Sequence, residues 1–212
     1  FLDGEIIGRI ELLPFFTFDL DANLNSINFT KLHTLLLSLQ DENQRKIFKL
    51  NNKINGKINL SSDKVYSSHN LVKYFESRFK FVNGNISIDQ LLVNLGKLGA
   101  ADLVGSINND RKFSRLKYES NVFVDNQKKF LSKFGIYNKK EISPNLYISG
   151  SFDLENLRAS FYEISAGTKI ENNDVDFIEN EFNDYMLEDG YESLFDFGKF
   201  KEFIKSVTTD VN

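Results

Sequence analysis

The chain has 212 residues, no cysteine, no tryptophan and two prolines, and its 26 Lys and Arg against 30 Asp and Glu leave a net charge of −4. That length can bury a core without staples, and the missing cysteine excludes disulfides and thiolate metal sites while leaving the redox compartment open. The acidic balance argues against nonspecific nucleic-acid binding, which needs a surplus of cations to replace phosphate counterions, and no apolar run approaches the ~18 residues of a membrane-spanning helix.

Residues Glu5 to Glu11 read as a short strand stopped by Pro14, which cannot donate to a sheet ladder. FFTFDLDANL follows, with Phe16, Phe18, Leu20, Ala22 and Leu24 on one face and Thr17, Asp19, Asp21 and Asn23 on the other, so this sheet is wet on its second side. From Phe29 to Gln40 the spacing changes to three and four through Leu32, Leu35, Leu36 and Leu39, which predicts an amphipathic helix capped by Asn28 or Thr30. His33 on that helix and His69 in a later loop read as boundary residues rather than ligands.

The polar hinge DENQRK leads to an alternating strand through Ile54, Gly56, Ile58 and Leu60, and residues 61–70 read as loop. The central stretch, residues 79–108, writes strand, turn, strand, turn, strand. Phe79 and Phe81 alternate, Asn83-Gly84 supplies the positive φ angles of a two-residue hairpin, and Ile86, Ile88, Leu91, Val93, Leu95 and then Ala101, Leu103, Gly105, Ile107 alternate in turn. The phase slips at Asp89-Gln90, which predicts a bulge or corner there.

Phe113 to Asp125 alternates again, NQKKFLSKF makes a short helix ended by Gly135, and after Pro144 a strand through Leu146, Ile148, Gly150, Phe152 and Leu154 turns near Glu155-Asn156 into Leu157, Ala159 and Phe161. The tail changes character, with helical spacing over Asn173 to Leu187 and Phe197 to Val207, caps at Asn173 and Asp196, and a break at Gly190.

Motifs that carry chemistry are thin. Ser61-Ser62-Asp63-Lys64 and Ser77-Arg78-Phe79-Lys80 fit the spacing of a serine nucleophile and its lysine, but the companion motifs are absent and Lys80 falls in a strand. The acids Glu171, Asp174, Asp176, Glu179 and Glu181 lack the glycine of a calcium loop and read as the solvated face of a helix. Gly56, Gly105 and Gly150 sit in the apolar phase of their strands, which implies either a bulge or bend of the sheet, or room left for a ligand.

INGKINL (residues 54–60), the stretch 79–107 and LYISGSFDLENLRASF (residues 146–161) resemble the AsmA-like proteins, relatives of the TamB group of bridge-like lipid transfer proteins of the Gram-negative envelope. The shared pattern is a strand ending in Asn-Gly-Asn, an alternating partner, and a strand of the form Gly-Ala-Ala-Asp-Leu-x-Gly. The resemblance implies a strip of a long antiparallel β-groove on the periplasmic side of the inner membrane, anchored by an N-terminal membrane helix that would precede Phe1, with acyl chains of phospholipid on its apolar inner face and possible protein partners in the envelope. It carries no catalytic residues and no cofactor, and the acidic helical tail departs from it.

The expected fold is mainly β (α+β): a long curved antiparallel sheet or groove of meandering strands with a few amphipathic helices. Residues 1–170 form the groove, with short helices inserted at about 29–40 and 126–134, and residues 171–212 form a helical cap. By alternation the groove is lined by Phe16, Phe18, Leu20, Phe79, Phe81, Ile86, Ile88, Leu103, Ile107, Val122, Val124, Ile148 and Phe152. The competing expectations are an ordinary core in which this face packs on the helices, an envelope scaffold or interaction domain with no lipid ligand, and, least supported by the residues, an enzyme.

Overall fold

The computed structural model describes residues 2–39, 48–67, 70–109, 114–137 and 143–210. It is mainly β, a single curved open sheet with helices gathered toward the C-terminus, as the alternation predicts. The strands are β1 (Leu2–Glu11), β2 (Phe16–Asn28), β3 (Ile54–Ser62), β4 (Val65–Tyr66), β5 (Tyr74–Val82), β6 (Asn85–Asn94), β7 (Gly99–Asn109), β8 (Ser114–Val124), β9 (Asn145–Asp153), β10 (Arg158–Ala166) and β11 (Thr168–Lys169). The helices are α1 (Phe29–Leu37), α2 (Gln127–Lys133), α3 (Asn172–Asp189) and α4 (Phe197–Asp210).

Sheet order is chain order, β1-β2-β3-β5-β6-β7-β8-β9-β10-β11, with β4 beside β2. Neighbours are antiparallel except at one junction, where β2 runs parallel to β3 and to β4. A parallel pair cannot be closed by a tight turn, so a crossover connection, of which α1 is a part, joins the end of β2 to the start of β3. The short strand β4, within the stretch read as loop, follows from the same crossover: it continues the β2 pairing that β3 gives up at Ser62.

Local signals in the sequence govern the meander. Asn83 and Gly84 take φ values of 52° and 78°, so the β5–β6 turn has the left-handed pair that Asn-Gly favours. The phase slip at Asp89-Gln90 is a register shift in the β6–β7 ladder between Ile88 and Leu91, which restores both halves of β6 to one face. Asn126 caps α2 by accepting from the Lys129 N–H at 2.9 Å, and Asp196 accepts from the Lys199 N–H at 3.1 Å. Helix α3 begins after Glu171, with no side-chain cap from Asn173.

Leu157 departs from its reading as a strand residue. It lies in the β9–β10 turn with φ 56°, a left-handed value rare for a branched side chain, and is 4% exposed. Burial against the core that holds Met186 and Tyr185 overrides the backbone preference.

Candidate functional site

The register of the ladders places a row of side chains across the sheet: Ile10, Phe18, Gly56, Phe81, Ile86, Ile107, Leu116, Phe152 and Ala159. A second row, one pleat along, runs Gly8, Leu20, Ile58, Phe79, Ile88, Gly105, Tyr118, Gly150 and Phe161. All thirteen groove residues expected from alternation therefore share one face. The opposite face is polar, with Asn59 donating to Asp21 at 2.7 Å and Ser61 to Asn23 at 3.1 Å.

Along this apolar face, cover differs from end to end. Phe152, Ile86 and Ile107 belong to a core with Met186 and Tyr185 of α3, against which Phe200 and Phe203 of α4 pack, and Ile148 packs against Ile164, Val175 and Ile178. Phe182 of α3 meets Phe152 and Phe161 edge-on, at 6.3 and 5.7 Å between ring centroids. Ile88 and Val124 are buried too. At the far end of the strands α1 lies over β2 and β5, with Phe29 stacked on Phe75 at 5.8 Å.

Phe18, Leu20, Phe79, Phe81, Leu103 and Val122 keep part of their surface open, and Phe16 is 38% exposed. The opening widens at β1, where Ile6 and Ile10 are 61% and 55% exposed on the same face, and continues into Leu12, Leu13 and Phe15 of the β1–β2 turn. Sequence reasoning placed this strand but assigned it no lining residues. Gly4 and Gly8 interrupt its apolar phase, so the alternation that marks β2 is diluted in β1.

The inner-face glycines leave room that the chain itself fills. A Cβ at Gly56 would stand 2.3 Å from the Phe18 carbonyl oxygen and 2.7 Å from its ring, which crosses β3 to lie 5.1 Å from the Phe81 ring. At Gly150 a Cβ would stand 2.5 Å from the Ser160 carbonyl oxygen and 3.2 Å from the Tyr118 hydroxyl. Both are aromatic rings laid across a glycine. Burial, and secondarily the charge of Glu179 and the nearby Tyr162, pushes the Tyr118 hydroxyl up to about 12.

The outer edge of β10 is closed by α3. Asn183 accepts from the Ala159 N–H at 2.7 Å and donates to the Ala159 carbonyl at 3.1 Å, and the Glu179 carboxylate accepts from the Phe161 N–H at 2.8 Å. Glu179 is thus no part of a merely solvated face, and Glu181 likewise accepts from Ser206 at 2.7 Å. Farther along, β11 pairs with Ser165 and Ala166.

Among the described residues no group of three or more His, Asp or Glu is placed to hold a metal ion, and no helix is long and apolar enough to cross a membrane. Compared with protein-family models, curated proteins and solved structures, the chain matches none.

Proposed function

We propose that this chain is a noncatalytic segment of an AsmA-like envelope protein, holding lipid acyl chains on its apolar sheet face for phospholipid transfer or outer-membrane biogenesis. The supporting observation is the partly uncovered apolar strip from Ile6 and Ile10 through Phe16, Phe18 and Leu20 to Phe79 and Phe81, continuous in register with the covered core. An exposed apolar surface of this extent is unusual unless something sits on it. Each methylene buried there is worth about 0.8 kcal/mol, so an acyl chain needs a dry strip and no specific chemistry, while its headgroup stays in water. On this reading the chain works on the periplasmic side of a Gram-negative inner membrane.

Native mass spectrometry with lipid extraction, on protein purified without detergent from a Gram-negative host, tests the proposal. Mixed phospholipid, lost from Phe16→Asp while its melting curve stays in place, supports it. Ile88→Asp is the wrong probe, because Ile88 is only 8% exposed and its substitution unfolds the sheet. A lipid-free mass in the wild-type chain overturns the proposal and leaves the scaffold or interaction domain as the reading.

A further inference from the structure

The strands of the meander finish in two chemically different sets of turns. Where β2, β3, β6 and β8 end and β5, β7 and β9 begin, the connections carry Lys31 of α1, Lys64, Lys73, Lys97 and, on α2, Lys128 and Lys129. All six side chains are exposed, and none has a carboxylate partner among the described residues. The described acids of the same connections are Asp63 and Asp125. At the opposite end of the strands Lys49 is bridged to Glu155 at 3.1 Å.

Backbone contacts string these lysines into one row. The Val65 N–H donates to the Lys73 carbonyl at 2.9 Å, the Lys73 N–H to the Asn94 carbonyl at 2.8 Å, and the Asp125 N–H to the Leu98 carbonyl at 3.1 Å. The Lys73 stem lies against Gly96, where a Cβ would stand 3.2 Å from it. Aromatic rings sit just inside the row. Tyr66, Tyr74 and Phe123 flank the buried Val65, Phe75 and Val124, so they lie on the polar face of the sheet, and all three are exposed. Register sets Tyr74 and Phe123 level with one another across Asn94 and Ala100. Lys64 Nζ stands 4.9 Å over the Tyr66 ring, and on α1 the exposed Leu35 follows Lys31 by about one helical turn.

Lysine outermost, rings just behind and few acids is the order that suits a bilayer surface, where ammonium groups meet phosphates and amphipathic rings settle at the interface below them. We infer that this end of the strands docks on the headgroups of an anionic phospholipid bilayer, with α1, the Gly96–Leu98 turn and α2 touching the surface. The net charge of −4 does not oppose this, because a screening length of about 8 Å at physiological salt makes the nearest charges count rather than the total. Tyr66, Tyr74 and Phe123 face away from the apolar strip, so the contact forms whether or not that strip carries lipid.

Cosedimentation of the 212-residue chain with vesicles of phosphatidylcholine, alone or with about 30% phosphatidylglycerol, gives the test. The wild type binds the anionic vesicles about tenfold or more above the neutral ones, and is released as salt rises from about 0.1 M to about 0.5 M. Lys64→Glu, Lys73→Glu and Lys97→Glu together lower that binding about tenfold or more and leave the melting curve in place, because the side chains are exposed. The same change of charge at Lys57→Glu, Lys80→Glu and Lys117→Glu, exposed on the polar face toward the other end of the strands, lowers it far less. The chain has no tryptophan, so Tyr66→Trp supplies a single reporter whose emission moves to the blue on anionic vesicles. Phe16→Asp, at the lipid strip, leaves vesicle binding unchanged, which separates a failure of this inference from a failure of the lipid reading. No preference for anionic vesicles, equal loss in the two triple variants, a Tyr66→Trp reporter that stays in water on bound protein, or binding lost with Phe16→Asp overturns the inference. So does duplex DNA retained at a salt where anionic vesicles are not, which would give the lysines to nucleic acid.

Discussion

At the β10 edge two side chains of α3 stand where a further strand would, with Asn183 answering both backbone groups of Ala159 and Glu179 taking the Phe161 N–H; at the other end of the sheet β1 is exposed throughout and β2 is its one ladder partner among the described residues. The apolar face follows the same gradient. Beneath the capped edge Met186 is fully buried and four aromatic rings of α3 and α4 interlock, while Ile6 and Ile10 at the open edge are more than half exposed. An edge strand and an apolar face raise separate demands, one for hydrogen bonds and one for dry surface, and in this chain a single helix meets both at one end.

The largest expected break in this contrast is in the core. Phe152→Ala removes a ring held between the sheet and Phe182 and is expected to cost about 3–5 kcal/mol, whereas Ile10→Ala, on a side chain already more than half in water, costs within about 0.5 kcal/mol; paired urea melts of the two variants measure the difference. Next comes Asn183→Leu, which keeps the volume but leaves the Ala159 N–H and carbonyl without partners. About 1–3 kcal/mol of destabilisation is expected, together with faster hydrogen exchange at Ala159, making the closed edge resemble the open one.

Two pH effects sharpen the contrast more gently. Burial raises the hydroxyls of Tyr118 and Tyr185 to about 12; for Tyr118 the charge of Glu179 adds to this, and for Tyr185 the charge of Asp196 adds while Lys199 opposes. The folded chain therefore holds these protons where the unfolded chain, titrating near 10, has lost them, so stability present below pH 10 declines as pH rises toward 12. Ultraviolet titration near 295 nm should show these two tyrosines ionising late, and Tyr118→Phe should flatten the alkaline loss. The smallest effect belongs to Asp153. Burial pushes its carboxyl up, but the Asn156 and Glu155 N–H groups, the Asn156 side chain and the Arg115 charge outweigh that and hold it below its usual 3.8. Its contribution is present above pH 3.8 and is lost as pH falls below that value, so Asp153→Asn should make the acid limb of a stability profile shallower.

The alternation of β2, β5, β6, β7 and β8 was legible because one face is apolar and the other wet, and even the Asp89-Gln90 slip announced itself by parity. The thirteen lining residues share a face for the same reason. Periodicity does not say what stands above that face, so Phe152 under a helix and Phe16 in the open read alike. The glycines at 56 and 150 were ambiguous because the rings that cross them come from β2 and β8, distant in sequence. Glu179 read as solvated because a carboxylate that caps a strand edge and one that meets water occupy the same helical spacing.

The parallel junction between β2 and β3 also orders the assembly of the molecule in time. From β5 to β7 each strand meets its neighbour across a short turn, so that part of the sheet can zip through local contacts. The β1–β2 hairpin forms locally as well, but residues 29–53 must be looped back before it meets Ile54, and that closure entropy is spent before any ladder bond returns it. The hairpin is thus expected to join after the β5–β7 meander, and pulse-labelled hydrogen exchange during refolding should find β2 amides gaining protection after those of β6 and β7.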